Sequence, residues 1–310
     1  MDGASGCVAY PSVACPGGRR YRGRVEPIRA AVAQLRATSD HAACMRDAAA
    51  ACVAAADRAA ALVVLPENYA GIAPRGAPCT WAFDPDRPQD ATALAPLCEV
   101  SARRGISIIA GGTPELAPGG RRFNTAAVVV GGRVVARYRK LHLFDADVPG
   151  QPRLRESDEV APGDGAVLVR TPAAAIGLSI CYDLRFAELY RALVDAGAEL
   201  LTIPAAFTAP TGEAHWEVLV RARAIETQCF VLAAAQHGEH GSGRRSWGHA
   251  MIVDPWGRVL AEAGERDTIV VADLSPAVLE QARAAVPCLR HHVDPRRLAV
   301  TRVDVTAPGE

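Results

Sequence analysis

The chain has 310 residues, 50% of them hydrophobic, and its 34 basic and 34 acidic residues leave no formal net charge. That balance gives no indication of binding to nucleic acid or to an acidic membrane surface, and no apolar run is long enough to predict a transmembrane helix. The nine cysteines form no Cys-x-x-Cys pair. Their odd number and scatter argue against a disulfide framework or a zinc site and favour a reducing compartment, so we predict a cytoplasmic protein.

The first 26 residues are irregular and rich in Gly and Arg. They lack the apolar segment of a secretory signal, and the acidic Asp2 makes their resemblance to a mitochondrial transit peptide weak. We predict a disordered N-terminal extension at 1–26, one domain at 27–295 and a C-terminal tail at 296–310. A mitochondrial form is the weaker alternative for the location.

The elements predicted for the first half of the domain alternate between strand and helix. They are a strand at 27–35, a helix at 42–60, a buried strand at 61–65, a helix at 93–104 and a strand at 106–110. A hairpin follows, with strands at 125–130 and 133–139, because Gly131-Gly132 supplies the positive φ that a two-residue turn requires.

The clearest unit begins with a strand at 175–180 that leads directly into Cys181. A helix is predicted next from apolar residues at helical spacing, which are Phe186, Leu189, Tyr190, Leu193 and Val194. The remaining elements are a strand at 199–203, a helix at 214–227, a strand at 229–235, and a hairpin of strands at 247–253 and 258–261. Strand-helix-strand units combined with hairpins predict an α/β sandwich in which helices cover two packed sheets.

The chain contains a single lysine, Lys140, beside 33 arginines. In a chain whose cations are otherwise arginine, a position that remains lysine can require a compact ammonium whose pKa responds to burial. Chance retention explains this one fact equally well. Its position at the end of a predicted strand makes Lys140 a candidate site residue.

Glu67, Lys140 and Cys181 all lie at predicted strand ends, and such side chains converge on a crevice in open α/β sheets. A thiol beside an ammonium and at a helix N-terminus has a lowered pKa, so Cys181 is the candidate nucleophile. Glu67 would take the thiol proton and return it to the leaving amine. Lys140 and the backbone N–H of Tyr182 would stabilise the charge on the substrate oxygen. Water would then hydrolyse the resulting thioester.

Each of these residues also has a structural explanation when taken alone. Glu67 could cap a helix or lie in a solvated loop, and Cys181 could be a small packed residue. A Cys/His or Ser/His/Asp site is a competing interpretation because the chain has eight histidines. None of them has an obvious spacing to a nucleophile, and His142 is expected to pack or orient other groups.

Three segments together resemble the signature motifs of the nitrilase, or carbon-nitrogen hydrolase, superfamily. They are Leu65-Pro66-Glu67-Asn68, Tyr138-Arg139-Lys140-Leu141-His142-Leu143-Phe144 and Ser179-Ile180-Cys181-Tyr182-Asp183-Leu184-Arg185-Phe186. The resemblance covers about residues 27–295 and implies a four-layer αββα sandwich, homodimers or higher homo-oligomers, and neither a metal nor an organic cofactor. It implies a Glu67, Lys140 and Cys181 triad, supported by Glu156 as a second glutamate. Without the resemblance, Glu156 would be interpreted as a solvated loop carboxylate.

A finer resemblance, to the Nit1-type branch of that superfamily, is carried by segments 143–150, 215–229 and 254–257. This branch implies an amidase that cleaves deaminated glutathione to 2-oxoglutarate and cysteinylglycine. An ω-amidase acting on 2-oxoglutaramate, or another amide hydrolase of the superfamily, is the alternative. A non-catalytic binding scaffold is disfavoured because all three triad residues are present. Leu141, where relatives often carry Thr, implies slightly altered packing.

Three further residues are predicted to contact the substrate. Arg185, four residues after the nucleophile, is chosen to hold a substrate carboxylate because a guanidinium pairs with that group through two hydrogen bonds. The alternative for Arg185 is a structural ion pair with Glu188. Phe207 and Thr208 follow a predicted strand end and are expected to line the pocket.

Overall fold

A computed structural model of the chain describes residues 27–73, 79–148, 153–171, 174–241, 243–293 and 297–303. The predicted N-terminal extension at 1–26, and residues 304–310 of the predicted tail, lie outside the described residues. The domain boundaries at 27 and 295 therefore stay predictions. None of the helices in the described ranges is both long and apolar enough to cross a membrane.

The described part of the chain contains seventeen strands and five α-helices. The strands are β1 (Ile28–Leu35), β2 (Leu62–Leu65), β3 (Ser107–Leu116), β4 (Arg122–Val130), β5 (Arg133–Arg139), β6 (Asp145–Ala146), β7 (Leu154–Arg155), β8 (Val160–Ala161), β9 (Leu168–Arg170), β10 (Ala175–Leu178), β11 (Leu200–Thr202), β12 (Phe230–Ala233), β13 (Ala235–Glu239), β14 (Arg245–Trp247), β15 (Met251–Val253), β16 (Val259–Glu262) and β17 (Thr268–Leu274). The helices are α1 (His41–Asp57), α2 (Ala95–Arg104), α3 (Ala187–Asp195), α4 (Ala209–Thr227) and α5 (Pro276–Ala285).

The strands form two large sheets and one small ribbon. The first sheet has nine strands, in the order β14-β13-β1-β2-β3-β4-β5, with β17 also paired to β1 and β8 to β4. The second has six, in the order β16-β15-β12-β11-β10-β9, and β6 pairs with β7. Strands β1, β2 and β3 run parallel to one another, as do β10, β11 and β12. Their carboxyl ends therefore lie at common edges, where site residues can meet.

The first sheet is covered on both faces, because successive strand residues point to opposite sides. Val32 and Val64 belong to the core shared with the second sheet, whereas Ala31 and Val63 pack in a second core with α1 and α2. Burying a valine side chain completely contributes roughly 1.5–3 kcal/mol to the free energy of folding relative to leaving it exposed. The small side chains of α1, including Ala48, Ala51 and Ala55, let this helix lie close to the sheet.

The second sheet carries helices on its outer face. In β10, Ile176 and Leu178 face the core between the sheets, so Gly177 lies on the opposite face. A Cβ added at Gly177 would lie 3.0 Å from a methyl carbon of Leu193 in α3. The missing side chain thus makes room for the helix, and α4 packs on β12 in the same layer. The predicted four-layer αββα sandwich is confirmed.

Two predicted strands are wrong because each is in fact two strands in different sheets. The segment predicted at 229–235 is β12 in the second sheet followed by β13 in the first, and the segment at 247–253 divides into β14 and β15. Between β14 and β15 the backbone has positive φ at Gly248 (89°) and His249 (59°). A run of apolar residues indicates that a strand is buried but not which sheet it belongs to. The passage of the chain from one sheet to the other therefore cannot be predicted from the hydrophobic pattern.

The sequence also left several elements unpredicted. Strand β17 and helix α5 follow the last predicted hairpin, and β3 continues past its predicted end through Gly111 and Gly112 to Leu116. At Gly111 a Cβ would lie 2.1 Å from the Cβ of Pro204, and Gly112 has φ 66°. Only glycine fits this approach, because both the close contact and the left-handed backbone exclude a side chain.

Candidate active site

Glu67 lies directly after β2 and is buried at 4% exposure. Its Oε1 accepts hydrogen bonds from Lys140 Nζ (3.0 Å) and Asn124 Nδ2 (2.9 Å). Its Oε2 accepts the backbone N–H of Ala206 (3.1 Å), and its backbone oxygen accepts Gln236 Nε2 (3.0 Å). The carboxylate is therefore held by side chains of β4 and the residue after β5, and by the segment after β11, rather than lying in a solvated loop.

Lys140 directly follows β5, is buried at 1% exposure and contacts both predicted glutamates. Its Nζ lies 3.0 Å from Glu67 Oε1 and 2.8 and 3.1 Å from the two oxygens of Glu156. Glu156 begins a short 3₁₀ turn, and its Oε2 also accepts the backbone N–H of Phe144 (2.7 Å). The structure thus brings together the residues that the family resemblance assigned to the site, and Glu156 is not a solvated carboxylate.

A charge-conserving replacement tests whether this buried ammonium acts on the substrate. We expect Lys140→Arg to lower kcat by at least about tenfold, because a planar, larger guanidinium cannot occupy the place of Nζ between two carboxylates. The matched control is Arg133→Lys, an exposed exchange at the start of the same strand. Steady-state kinetics on variants with unchanged thermal midpoints would check this. Near wild-type turnover in Lys140→Arg would remove Lys140 from the mechanism.

Cys181 lies between β10 and α3, in a strained backbone conformation with φ 49°. Its backbone N–H donates to the carbonyl oxygen of Pro204 (2.8 Å), which fixes this turn against the segment after β11. Its thiol hydrogen-bonds with the carboxylate of Glu67. The nucleophile and the base predicted from the sequence are therefore in direct contact.

The charges around Cys181 correct the expectation of a lowered thiol pKa. Burial raises the pKa of Cys181, the carboxylate of Glu67 raises it further, and Lys140 lowers it by less, so the pKa lies well above its ordinary value. The physical reason is that burial disfavours the charged thiolate and that Glu67 repels it, and the one ammonium does not offset both effects. The turn after Cys181 is also a short 3₁₀ segment, and α3 begins only at Ala187.

The same charges act on the two partners of the thiol. Burial alone would raise the pKa of Glu67, but the ammonium of Lys140 and hydrogen bonds from Cys181, Lys140 and Asn124 outweigh it, so this pKa is lowered. Burial alone would lower the pKa of Lys140, but Glu156 and Glu67 raise it well above its ordinary value. The resting site therefore holds a carboxylate, an ammonium and a neutral thiol.

This assignment predicts the pH dependence of the reaction. A carboxylate with a lowered pKa stays ionised until the pH falls through that pKa, and the thiol stays protonated well into the alkaline range. We expect kcat/KM to be level from about pH 6 to about pH 8.5 and to fall only in acid, as the coupled site takes up a proton. An inflection near the ordinary thiol pKa of about 8.5 would mean instead that a free thiolate is the reactive form.

Asp183 is a fully buried acid that the sequence reasoning missed. Its Oδ2 accepts Tyr138 Oη (2.7 Å) and the backbone N–H of Ile180 (2.9 Å). Its Oδ1 accepts the backbone N–H (3.0 Å) and the Nδ1 (2.7 Å) of His142, whose ring stacks on Phe186. Asp183 therefore joins the turn of Cys181 to the segment of Lys140. The available signal in the sequence was its place two residues after the nucleophile. The orienting role of His142 stays a prediction, which its contacts with Asp183 and Phe186 agree with.

Asn124 in β4 is a second residue that the sequence reasoning missed. Its Nδ2 donates to Glu67 Oε1 (2.9 Å) and to Glu156 Oε1 (3.0 Å), and its backbone oxygen accepts the N–H of Lys140 (2.8 Å). One amide thus bridges two like charges and positions the ammonium between them. A polar residue beside a predicted apolar strand was its only signal in the sequence.

The triad opens into a cavity of about 400 Å³. Glu67, Lys140, Glu156, Cys181 and Thr208 all line it, whereas Tyr182, Arg185 and Phe207 are not among its lining residues. Four arginines that the sequence reasoning did not select also line the cavity: Arg122, Arg153, Arg155 and Arg244. Acids line the cavity as well, namely Glu67, Glu156, Asp158 and Glu159, so it carries charges of both signs. Its arginines are the groups that could pair with an anionic substrate.

Arg185 lies against aromatic rings beside the site. Its guanidinium carbon is 5.2 Å from the ring centroid of Phe207 and 5.9 Å from that of Tyr182, and Nη1 lies 3.3 Å from His215 Nδ1. Among the described residues it forms no ion pair with Glu188, so the alternative of a structural ion pair is not observed. The roles of Arg185, Phe207, Thr208 and the N–H of Tyr182 toward substrate stay predictions.

Comparison with known proteins decides the class of this site. A sequence profile described as carbon-nitrogen hydrolase matches residues 29–284. The chain belongs to the carbon-nitrogen hydrolase family. It is therefore an enzyme that hydrolyses carbon-nitrogen bonds other than peptide bonds, and the family predicted from the three motifs is confirmed.

Individual family members show how far the similarity extends. The chain is 43% identical over 244 residues to a protein named Deaminated glutathione amidase from Synechocystis sp., covering 76% of this chain and 86% of that protein. It is 39% identical over 241 residues to Omega-amidase NIT2-B from Xenopus laevis, covering 77% and 86%. The crystal structure of Nit3 from Saccharomyces cerevisiae, a nitrilase-superfamily member, has a TM-score of 0.76 at 30% identity and covers 90% of this chain and 100% of that one.

Proposed function

We propose that the chain hydrolyses the amide bond of deaminated glutathione and releases 2-oxoglutarate and cysteinylglycine. The single observation that carries the chemistry is the contact of the Cys181 thiol with Glu67, beside the Nζ of Lys140, in a cavity that arginines also line. The identity to a relative named for this activity supports the choice of substrate. An ω-amidase acting on 2-oxoglutaramate is the second candidate, supported by the relative with that name.

The proposed reaction begins with proton transfer from the Cys181 thiol to the Glu67 carboxylate as sulfur attacks the amide carbon. Lys140 and the N–H of Tyr182 stabilise the negative charge that develops on the carbonyl oxygen. Glu67 then donates the proton to the leaving nitrogen, and the carbon-nitrogen bond breaks to leave a thioester. Water, activated by the same carboxylate, hydrolyses the thioester and regenerates the thiol. Glu156 and Asn124 hold Lys140 and Glu67 in place throughout.

The decisive experiment compares kcat/KM for deaminated glutathione and for 2-oxoglutaramate, with Cys181→Ala as the control. We expect a preference for deaminated glutathione that the control abolishes. A preference for 2-oxoglutaramate would make the chain an ω-amidase. Absence of Cys181-dependent turnover of either compound would contradict both candidates and leave nitriles, carbamoyl compounds or a binding role.

We also propose that the protein forms a homodimer in the cytoplasm. The exposed apolar side chains on the α4 side of the second sheet support self-association, since Val218 is 69%, Ile225 51% and Trp256 51% exposed. The seven cysteines of the described residues are all free, which is consistent with a reducing compartment. A monomer by light scattering at micromolar concentration would contradict the first proposal, and organelle targeting of the tagged full chain would contradict the second.

A further inference from the structure

Arg244 lies on the turn between β13 and β14 and lines the same cavity as Cys181. We infer that Arg244 binds a carboxylate on the leaving-group side of the amide substrate and thereby selects an extended substrate over a primary amide. This inference rests on the proposed function and deepens it. It concerns the part of the substrate that leaves, which the triad residues do not recognise.

Arg244 differs from the other cavity arginines in lacking an acidic partner. Arg122 pairs with Glu159 at 2.5 Å, and Arg155 and Arg153 pair with Asp147 at 3.0 and 3.3 Å. Among the described residues the side chain of Arg244 has neither an ion pair nor a hydrogen-bond acceptor, and its Nε is buried without a partner. A buried donor left without an acceptor is unfavourable, and a substrate carboxylate would relieve this cost.

The turn that presents Arg244 is held by its own backbone and by His240. The N–H of His240 donates to the oxygen of Arg244 (2.9 Å), and the N–H of Arg244 donates to Gly241 (3.1 Å). His240 Nδ1 donates to the oxygen of Ala37 (2.8 Å), and its Nε2 lies 2.8 Å from Ser246 Oγ. Burial lowers the pKa of His240 to about 4, so at neutral pH this ring is uncharged and Arg244 is the cation of the turn.

Contacts along the backbone connect the turn of Arg244 to the carboxylate that protonates the leaving amine. Glu67 returns the proton to the leaving nitrogen, and Glu67 Oε2 accepts the N–H of Ala206. From Ala206 the backbone runs two residues to Thr208, which pairs with Ser246 of β14, two residues after Arg244. Ala206, Thr208 and Arg244 all line the cavity, so its wall continues from the residue that binds Glu67 to the turn of Arg244. The acyl group, in contrast, stays bonded to Cys181.

A primary amide such as 2-oxoglutaramate releases ammonia and has no carboxylate on that side. Binding by Arg244 therefore contributes to the reaction of deaminated glutathione and contributes nothing to that of 2-oxoglutaramate. A site built to bind a charged group discriminates against an analogue that lacks it, because the buried Nε of Arg244 is then left without an acceptor. Arg244 would thus separate the two activities that the shared triad cannot distinguish.

The test measures kcat/KM for deaminated glutathione, for its C-terminal glycinamide analogue and for 2-oxoglutaramate. We expect the wild-type protein to prefer the acid over the neutral analogue by about tenfold or more, the effect of one hydrogen-bonded charge pair. In Arg244→Gln this ratio should fall to about one, with 2-oxoglutaramate turnover changed by less than about twofold. The matched control is Arg245→Gln, an exposed neighbour that should keep the wild-type ratio.

Two results would overturn the inference: an acid-to-amide ratio that Arg244→Gln leaves unchanged, or an equal loss on 2-oxoglutaramate, which would mean a structural or acyl-side role. The proposed function is tested by a different comparison, that of deaminated glutathione with 2-oxoglutaramate in the wild-type protein. If the wild-type protein prefers 2-oxoglutaramate to deaminated glutathione, the proposed function fails. The inference about Arg244 would still hold if the preference for deaminated glutathione over its glycinamide analogue is lost in Arg244→Gln and kept in Arg245→Gln.

Discussion

Glu67→Gln should lower kcat/KM by about 10²–10⁴-fold, the range expected when a positioned general base is removed. The carboxamide is nearly isosteric with the carboxylate but cannot take the proton of Cys181. Burial still raises the pKa of the thiol in this variant, and the other groups that act on the thiol, Lys140 and the backbone N–H of Ala206, cannot accept its proton. The same variant also lacks the acid that protonates the leaving nitrogen, so acylation and hydrolysis of the thioester both slow.

The measurement is steady-state turnover, accompanied by thermal unfolding to show that the fold is retained. Asp158→Asn is the matched control, since Asp158 is an exposed carboxylate that lines the same cavity. Its removal should change kcat/KM by less than about threefold, because an exposed charge acts weakly through solvent. Wild-type turnover in Glu67→Gln would show that the contact between Glu67 and Cys181 has no catalytic role.

Asp183→Ala should lower the free energy of unfolding by about 3–5 kcal/mol, the usual effect of breaking a buried charged network from one side. Four donated hydrogen bonds end on this one carboxylate, and two of the donors, Tyr138 Oη and the N–H of Ile180, lie in buried residues. Each buried donor left without an acceptor is unfavourable by roughly 1–3 kcal/mol. The network also joins the turn of Cys181 to the segment of Lys140, so kcat should fall as well.

Urea unfolding of the purified variants would measure this effect. Asp183→Asn retains part of the network and should lose less stability, which keeps the comparison informative if Asp183→Ala does not fold. Asp164→Ala removes an exposed carboxylate and should stay within about 0.5 kcal/mol of the wild-type protein. If Asp183→Ala matched Asp164→Ala in stability, the carboxylate would not be the link between the two segments.

Much of the fold was predictable because its parts carry local patterns. The Gly131-Gly132 hairpin, the helix after Cys181 and the parallel strand units occur as predicted, since turn chemistry and apolar spacing are encoded within a few residues. The crossings from β12 to β13 and from β14 to β15 were not predictable. A strand buried in one sheet and a strand buried in the other have the same apolar composition, so the pattern cannot assign the sheet.

The residues of the site also separate into those that were predictable from the sequence and those that were not. Glu67, Lys140 and Cys181 were predictable because each stands at a strand end within a recognisable motif, and strand ends converge. Asp183, Asn124 and Arg244 were not selected, because their importance comes from partners that lie far away in the chain or, for Arg244, from the lack of one. An arginine in a chain with 33 of them carries no signal of its own.

The sequence by itself determined the family, the layered architecture and the identity of the three residues that meet at the centre of the site. Only the tertiary structure decided the protonation of that site. Burial and the carboxylate of Glu67 raise the pKa of Cys181 more than the ammonium of Lys140 lowers it, whereas the sequence analysis had predicted a lowered pKa. The reason is physical: electrostatic effects depend on distance and burial, and both are set by contacts between residues remote in the chain.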